Sequence, residues 1–247
     1  MTARTHPGSK DDGSWPHSGA DSESVADQLT GQLSQRIQRR RLRQQVRSLV
    51  QSGAYTDAIA CLDELVAHDP TAHDLSNRGY LLARLGHHEA AIADYSAALD
   101  LNPTLDAAYH NRANSHAALG HSEAALMDYD RAIDLNPLNL KPRLNQSILY
   151  RQMQRYGQAC ELLEESLWLA LNVLDLHQAP HLAGLVAHLY AEQGRVHHLL
   201  GSWNAAIADY QRALDFLPTL GEPRSEQAQL RAQVSDWLTT LLNPLSA

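Results

Sequence analysis

The sequence is poor in the residues that mark several common classes of protein. It holds two cysteines, Cys61 and Cys160, which lie far apart and match neither a disulfide framework nor a zinc site. Aromatic residues make up 6% of the chain, with a single phenylalanine. Alanine and leucine dominate instead, and both favour helices. The composition therefore favours an all-α protein, and the cysteine usage favours a reducing, cytoplasmic compartment.

Long apolar runs are also missing. No stretch approaches the 18 apolar residues typical of a transmembrane helix. The first 24 residues hold no apolar core of the kind that a secretory signal needs. We therefore expect no transmembrane segment, although peripheral association with a membrane remains open.

Motifs of catalysis and metal binding are absent as well. The sequence has no GxSxG, no GxxxxGK[ST] and no GxGxxG following a strand. It has 14 histidines but no CxxC, HExxH or EF-hand pattern. His181 and His188 lie about two helical turns apart, too far to share one ion without a third element. We therefore predict no catalytic residue, no metal, no cofactor and no enzymatic activity.

The charge is uneven along the chain. The net charge is −8, with +3 in residues 1–47 and −11 in the rest, so most of the chain should repel nucleic acid. A helical segment without intervening acids carries Arg36, Arg39, Arg40, Arg41, Arg43 and Arg47. It could bind nucleic acid or an anionic membrane. The absence of interleaved aromatics favours a solvated helix face, with Leu33, Ile37 and Val46 packed on the other side.

A repeat of 34 residues occupies the middle of the chain. Residues 72–105 and 106–139 are identical at 16 of 34 positions. The segment Ala90–Asp100 returns as Ala205–Asp215 with nine of eleven residues identical, three periods plus 13 residues later. A fixed period of this length is typical of stacked helical hairpins.

The repeated residues resemble the tetratricopeptide repeat (TPR). Small residues stand in the first helix at Gly79, Ala113 and Gly194, and glycines stand at the turn at Gly86, Gly120 and Gly201. The second half of the signature appears three times: Ala91, Tyr95, Ala98, Pro103; Ala125, Tyr129, Ala132, Pro137; and Ala206, Tyr210, Ala213, Pro218. Two degenerate units flank these copies, and one of them has Gln154 at the glycine turn.

The resemblance implies a right-handed α-solenoid of TPR hairpins whose first helices line a concave groove. We expect a disordered tail over residues 1–20 and a basic helical segment over 21–38. The array covers 39–220, with units 39–71, 72–105, 106–139, 140–173 and 187–220 and a 13-residue insertion over 174–186. The insertion predicts a longer second helix, a loop near 176–179 and an early helix start at Pro180. A capping region follows over 221–247, where residues 223–243 form an amphipathic helix.

An asparagine ladder, Asn77, Asn111 and Asn145, occupies the sixth position of three successive units. In TPR proteins such residues hold the backbone of a bound peptide, and a carboxamide can bond both C=O and N–H groups. The alternative is that these side chains cap or bridge helices within the scaffold. Charge selectivity for an acidic segment could come from Arg43, Arg47 and Lys141.

Two further comparisons with the family refine this hypothesis. Ser76 and Tyr80 stand where a clamp for a chaperone C-terminus would need lysine and asparagine, so we do not expect such a clamp. Arg78 and Arg112 follow two of the ladder asparagines, and we expect them to form ion pairs within the scaffold. The sequence thus predicts a protein-binding adaptor, scaffold or assembly factor that grips an extended or acidic partner segment. The alternative is a targeting module that uses the arginine-rich helix.

Overall fold

The computed structural model describes residues 19–174, 182–217 and 225–242, with side chains from residue 29 onward. These ranges contain eleven helices and no strand, so the predicted all-α class is confirmed for the described residues. The helices are α1 Gly19–Gln51, α2 Tyr55–His68, α3 Ala72–Arg84, α4 His88–Leu101, α5 Asp106–Ala118, α6 Ser122–Leu135, α7 Leu140–Gln152, α8 Tyr156–Asn172, α9 Ala183–Leu199, α10 Trp203–Asp215 and α11 Glu226–Leu242.

The chain divides into two compact units, residues 1–61 and 62–247. The first contains α1, in which the basic segment and the first helix of the predicted first repeat form one continuous helix of 33 residues. Gly53 follows the end of α1, and its φ of 79° lets the N–H of Ala54 bond the carbonyl of Leu49 at 2.9 Å. The predicted tail lies outside the described residues, except for its last two, which begin α1.

The apolar face of α1 is only partly packed. Val46 is buried, as predicted, and Leu42 is half-buried. Leu33 and Ile37 are instead 58% and 46% exposed, so the prediction of a continuously packed face is wrong for this part of the helix. The side chains of a helix are buried only where another helix lies against them. The amphipathic pattern of α1 continues past that point, so it did not show where the packing ends.

The second unit is a stack of helical hairpins with a recurrent tight turn. Gly86, Gly120 and Gly201 have φ values of 85°, 76° and 73°, the left-handed region that glycine adopts without steric cost. Gln154 occupies the same turn in the fourth hairpin with a φ of 61°. The glycine signals of the sequence are thus confirmed, and the degenerate unit keeps the turn at the expense of backbone strain.

Close packing within a hairpin explains the recurrent spacing of small and aromatic residues. A Cβ added to Gly79 would lie 3.0 Å from the Tyr95 ring, and one added to Gly194 would lie 2.6 Å from the Tyr210 ring. Both tyrosines are buried at the centre of their hairpins. The small residue therefore lets the aromatic ring of the second helix reach the backbone of the first.

The hairpins form two layers. The first helices contact one another in the order α3, α5, α7 and α9, and each second helix packs on the helices before and after it. Among the described residues, α4, α6, α8 and α10 make no contact with one another. The first helices are therefore the more closely spaced layer, which lies on the inner side of a curved stack. This inner layer carries the groove of the all-α solenoid.

The last helix covers the end of the stack, as the amphipathic pattern predicts. Leu230 and Val234 of α11 are buried, and Trp237 packs against the same core. The Arg231 guanidinium donates to the carbonyls of Leu214 and Leu217 at 3.0 and 2.9 Å. These carbonyls at the C-terminal end of α10 thereby gain hydrogen-bond donors. Helix α11 thus caps both the apolar core and the carbonyls exposed by the last hairpin.

The insertion is described at its two ends only. Helix α8 has 17 residues, against 14 in α4 and α6, which confirms the prediction of a longer second helix. Helix α9 begins at Ala183, before the predicted repeat boundary at residue 187. The predicted loop and the helix start at Pro180 lie outside the described residues.

Candidate functional site

The residues of the asparagine ladder lie on successive helices of the inner layer. Asn77 is on α3, Asn111 on α5 and Asn145 on α7, and Lys141 is exposed near the start of α7. Asn77 is exposed, whereas Asn111 and Asn145 are partly buried. We call the contact between two neighbouring helices of this layer a step. The ladder extends over the α3–α5 and α5–α7 steps.

The α5–α7 step contains a hydrogen-bond network that the sequence did not indicate. The amide nitrogen of Asn145 lies 2.9 Å from Asn114 Oδ1 and 3.0 Å from His110 Nε2. The hydroxyl of Tyr129 donates to the same Asn114 Oδ1 at 2.7 Å. Asn145 therefore bridges two helices of the scaffold, one of the two interpretations that the sequence left open.

The protonation state of His110 sets the direction of this network. Burial, together with the charge of Lys141, lowers the pKa of His110 to about 4, although Asp106 opposes the shift. The imidazole is therefore neutral near pH 7, so Nε2 can accept a hydrogen bond. Both N–H groups of Asn145 are consequently used within the scaffold, one by Asn114 and one by His110.

The α3–α5 step lacks such a network. Within the part of the chain that the structure describes, the side chains of Asn77 and Asn111 make no hydrogen bond. Tyr80 stands at the position that Asn114 occupies in the next unit. The hydroxyl of Tyr95, the counterpart of Tyr129, is buried and has no partner among the described residues. The asparagines of this step are thus available to a ligand.

The ladder ends at α9. The position equivalent to Asn145 is Glu192, which is buried and paired with Arg151 of α7. Arg195 lies 3.6 Å from the second oxygen of the same carboxylate. An ion pair therefore replaces the amide at this step, where the buried acid is neutralised on both sides.

Arg78 and Arg112 form the scaffold ion pairs that the sequence predicts. Arg78 binds Asp94 through two nitrogens at 2.6 and 2.8 Å, and Arg112 binds Asp128 in the same way at 2.7 and 2.8 Å. Arg78 also reaches Asp63 at 2.8 Å. Bidentate pairs of this kind fix orientation as well as charge. They tie each inner helix to the outer helices and leave the groove to the asparagines.

Comparison with known proteins identifies the repeat. The family description Tetratricopeptide repeat matches residues 43–106 and again residues 106–137. Residues 43–137 are tetratricopeptide repeats. No curated protein sequence matches the chain.

Solved structures of TPR proteins share the fold. A crystal structure of the MamA protein has a TM-score of 0.59 at 19% identity, covering 72% of this chain and 91% of that one. MamA from Desulfovibrio magneticus RS-1 has a TM-score of 0.61 at 14% identity, with coverage of 72% and 94%. The thermophilic TPR protein TTC0263 of Thermus thermophilus has a TM-score of 0.59 at 17% identity, with coverage of 81% and 99%. At these identities the likeness establishes the solenoid fold alone.

The TPR fold is that of a protein–protein interaction module, typically without catalytic activity. Among the residues that the structure describes, no three His, Cys, Asp or Glu side chains are grouped so that they could hold a metal ion. None of the described helices is long and apolar enough to cross a membrane. The absence of enzymatic activity and of a cofactor, and the cytoplasmic location, stay predictions.

A cavity of about 310 Å³ opens beside the network of this TPR groove, between α5, α6 and α7. It is lined by Asn114, Ala117, Ala118, Tyr129, Asn145, Ile148, Leu149 and Gln152. Sequence reasoning missed His110, Asn114 and Tyr129 as members of the site. The available signal was the change from Tyr80 to Asn114 at one position of an otherwise similar unit.

The arginines proposed for charge selectivity belong to the first compact unit. Arg43 and Arg47 lie on α1, where both are exposed to solvent. The side chain of Arg43 also takes part in an interaction within the protein. Lys141 is the residue of this set that belongs to the same unit as the ladder. The role of the two arginines in binding stays a prediction.

Proposed function

We propose that this TPR protein binds an extended, acidic segment of another protein along α3, α5 and α7, and that it acts as an adaptor, scaffold or assembly factor. The observation that carries the proposal is the state of Asn77 and Asn111. Both amides occupy the same position on adjacent inner helices and have no side-chain hydrogen bond among the described residues. Neither amide belongs to the side chains that are buried without a partner, so both can exchange bonds with water for bonds with a ligand.

The spacing of the inner helices suits an extended main chain. Packed helix axes lie about 8–10 Å apart, and an extended chain rises about 3.3 Å per residue. Successive asparagines would therefore meet main-chain groups about three residues apart. Since each carboxamide offers one acceptor and two donors, it can bond a peptide unit whatever side chains that peptide carries.

The preference for acidic segments comes from positive charge near the groove. Lys141 is exposed at the start of α7, and the cavity beside it is lined by uncharged residues only. Residues 48–247 carry a net charge of −11, so the positive charge of Lys141 has to act locally. Lys141 acts on His110 of the neighbouring inner helix, where Asp106 is the opposing charge. Arg43 and Arg47 are proposed to add positive charge on the first unit.

The test uses a phage-displayed library of random dodecapeptides selected on the immobilised protein. The double variant Asn77→Ala/Asn111→Ala should weaken binding of the selected peptides by about tenfold or more, because two neutral hydrogen bonds are lost. Asn204→Ala is the matched control, since Asn204 is an exposed asparagine of the outer helix α10. Equal binding by the double variant and the wild type would refute the role of the ladder.

Charge-reversal variants test the preference for acidic segments. Lys141→Glu should deplete acidic residues from the selected peptides, whereas Arg131→Glu on the outer helix α6 should leave the selection unchanged. Arg43→Glu/Arg47→Glu tests the proposed contribution of the first unit in the same assay. If Lys141→Glu selects the same acidic peptides as the wild type, the preference does not arise at α7.

A second candidate function is targeting to an anionic surface through α1. Leu29, Leu33 and Ile37 recur every four residues and are 60%, 58% and 46% exposed, next to exposed Arg36 and Arg40. A helix with an apolar stripe beside arginines can bind an anionic membrane, and its charge can bind nucleic acid. Co-sedimentation with phosphatidylglycerol vesicles, and gel shift with duplex DNA, should then weaken as salt rises. Absence of binding at low salt would exclude this function.

A further inference from the structure

The cavity at the α5–α7 step has a lining of unusual uniformity. Its walls are the apolar Ala117, Ala118, Ile148 and Leu149, and its polar groups are neutral amides and the Tyr129 phenol. None of the lining residues carries a charge, although the protein as a whole has a net charge of −8. A charged group entering such a site would lose its hydration without gaining a counter-ion, which is costly.

The network beside the cavity leaves a defined pair of hydrogen-bonding groups unused. Asn114 Oδ1 accepts two hydrogen bonds, from Tyr129 and Asn145, and so has no lone pair to spare. Both N–H groups of Asn145 are used by Asn114 and His110. Asn145 Oδ1 remains as an acceptor. The amide nitrogen of Asn114 lies 3.4 Å from His110 Nε2, which leaves its second N–H as a donor. One acceptor and one donor are the complement of the main-chain N–H and C=O of one residue in an extended segment.

The orientation of these two groups is set by the scaffold. The nitrogen of the Asn145 amide lies near both Asn114 Oδ1 and His110 Nε2, so Oδ1 faces away from the histidine; the neutral imidazole accepts at Nε2 in the tautomer that carries its proton on Nδ1. The hydroxyl of Tyr129 fixes the Asn114 amide in the same manner. Fixed donors and acceptors favour binding because no side chain must be reordered when the ligand arrives.

We infer that this cavity is the pocket for an uncharged, apolar side chain of the bound segment, with Asn145 Oδ1 accepting the main-chain N–H of that residue. The inference rests on the proposed function and adds a specificity element to it. The segment would thus combine an apolar residue at α5–α7 with acidic residues near Lys141, which lies close enough to His110 to affect its pKa. Asn77 and Asn111 would hold the main chain of the residues at α3–α5.

The test compares dodecapeptides selected by the wild type with those selected by two variants of Ala118. Ala118 is exposed at the last position of α5, so a larger side chain there fills the cavity without repacking the core. We expect the wild type to select Leu, Ile, Val or Met at one fixed position, and Ala118→Leu to weaken binding of those peptides by about tenfold. Ala90→Leu, an exposed alanine of the outer helix α4, should bind as the wild type does.

Ala118→Asp provides a gain of function that misfolding cannot imitate. A carboxylate in the cavity wall should change the selected residue at that position to Lys or Arg, while acidic residues elsewhere in the peptide are retained. Selection of acidic peptides without a fixed apolar position, or an unchanged selection by both Ala118 variants, would overturn the pocket but leave the proposed function intact. A wild-type protein that selects no peptide would overturn both.

Discussion

The α3–α5 step joins two units that are identical at 16 of 34 positions, and the α5–α7 step joins the second of them to the degenerate unit 140–173; the two steps hold their asparagines differently. At α5–α7, Asn145 is bonded to His110 and Asn114. At α3–α5, Asn111 is unpaired among the described residues, because Ser76 and Tyr80 stand where His110 and Asn114 would be one unit later. The comparison shows that one repeat position can serve the scaffold in one step and a ligand in the next.

The largest effect is expected from removing the ladder asparagines one at a time. Asn145→Ala should lower the free energy of unfolding by about 2–3 kcal/mol, since two hydrogen bonds are lost and the partly buried His110 and Asn114 lose a partner. Asn111→Ala should change it by less than about 0.5 kcal/mol. Urea denaturation followed by circular dichroism measures both values. Equal losses would mean that the two steps do not differ.

The α5–α7 step should also make the free energy of unfolding depend on pH, which the α3–α5 step should not. The folded pKa of His110, about 4, lies below the unfolded value, so its contribution to stability is present above about pH 6.5 and is lost as the pH falls toward 4. Between these values His110 adds a slope of up to about 1.4 kcal/mol per pH unit to the free energy of unfolding.

The control for this prediction uses glutamine variants. His110→Gln should remove that slope while keeping an acceptor for Asn145, whereas His73→Gln, at an exposed position of α3, should keep the wild-type slope. Burial also lowers the pKa values of His116 and His188, so the difference between variants is the decisive quantity. A wild-type slope in His110→Gln would contradict the neutral acceptor role.

The two equivalent tyrosines offer a matched pair with a smaller effect. Tyr129→Phe should cost about 1–1.5 kcal/mol of stability, because the hydrogen bond to Asn114 is lost. Tyr95→Phe should be neutral or slightly stabilising, since it removes a buried hydroxyl without a partner among the described residues. Thermal unfolding of both variants gives the comparison. A loss of stability in Tyr95→Phe similar to that in Tyr129→Phe would show that its hydroxyl has a partner in solution.

The smallest expected change in stability comes from converting one step into the other. Ser76→His/Tyr80→Asn rebuilds at α3–α5 the residues found at α5–α7, and it should stabilise the fold by about 0.5–1 kcal/mol. It should also weaken binding of the selected peptides, since the Asn111 amide would then be bonded within the scaffold. Denaturation and peptide binding are measured on the same preparation. Unchanged binding would place the ligand elsewhere on the inner layer.

Much of the fold was predictable because its determinants are local. The turn glycines, the small residue facing each buried tyrosine and the ion pair between Arg78 and Asp94 recur at set distances within a unit. The last helix shows its amphipathic pattern within its own sequence. The packing of α1 was predicted only in part. Its apolar pattern is continuous, but Leu33 and Ile37 are exposed, and a helix's own sequence does not record where its neighbour ends.

The sequence by itself determined an all-α array of hairpins, its 34-residue period and the alignment of Asn77, Asn111 and Asn145 on successive inner helices. Only the tertiary structure decided that these asparagines differ. A period assigns the same face to every copy of a position, whereas a hydrogen bond depends on which side chain the neighbouring helix presents within about 3 Å. For Asn145 those partners come from α5, 31 and 35 residues away, and they are the residues at which the repeats diverge.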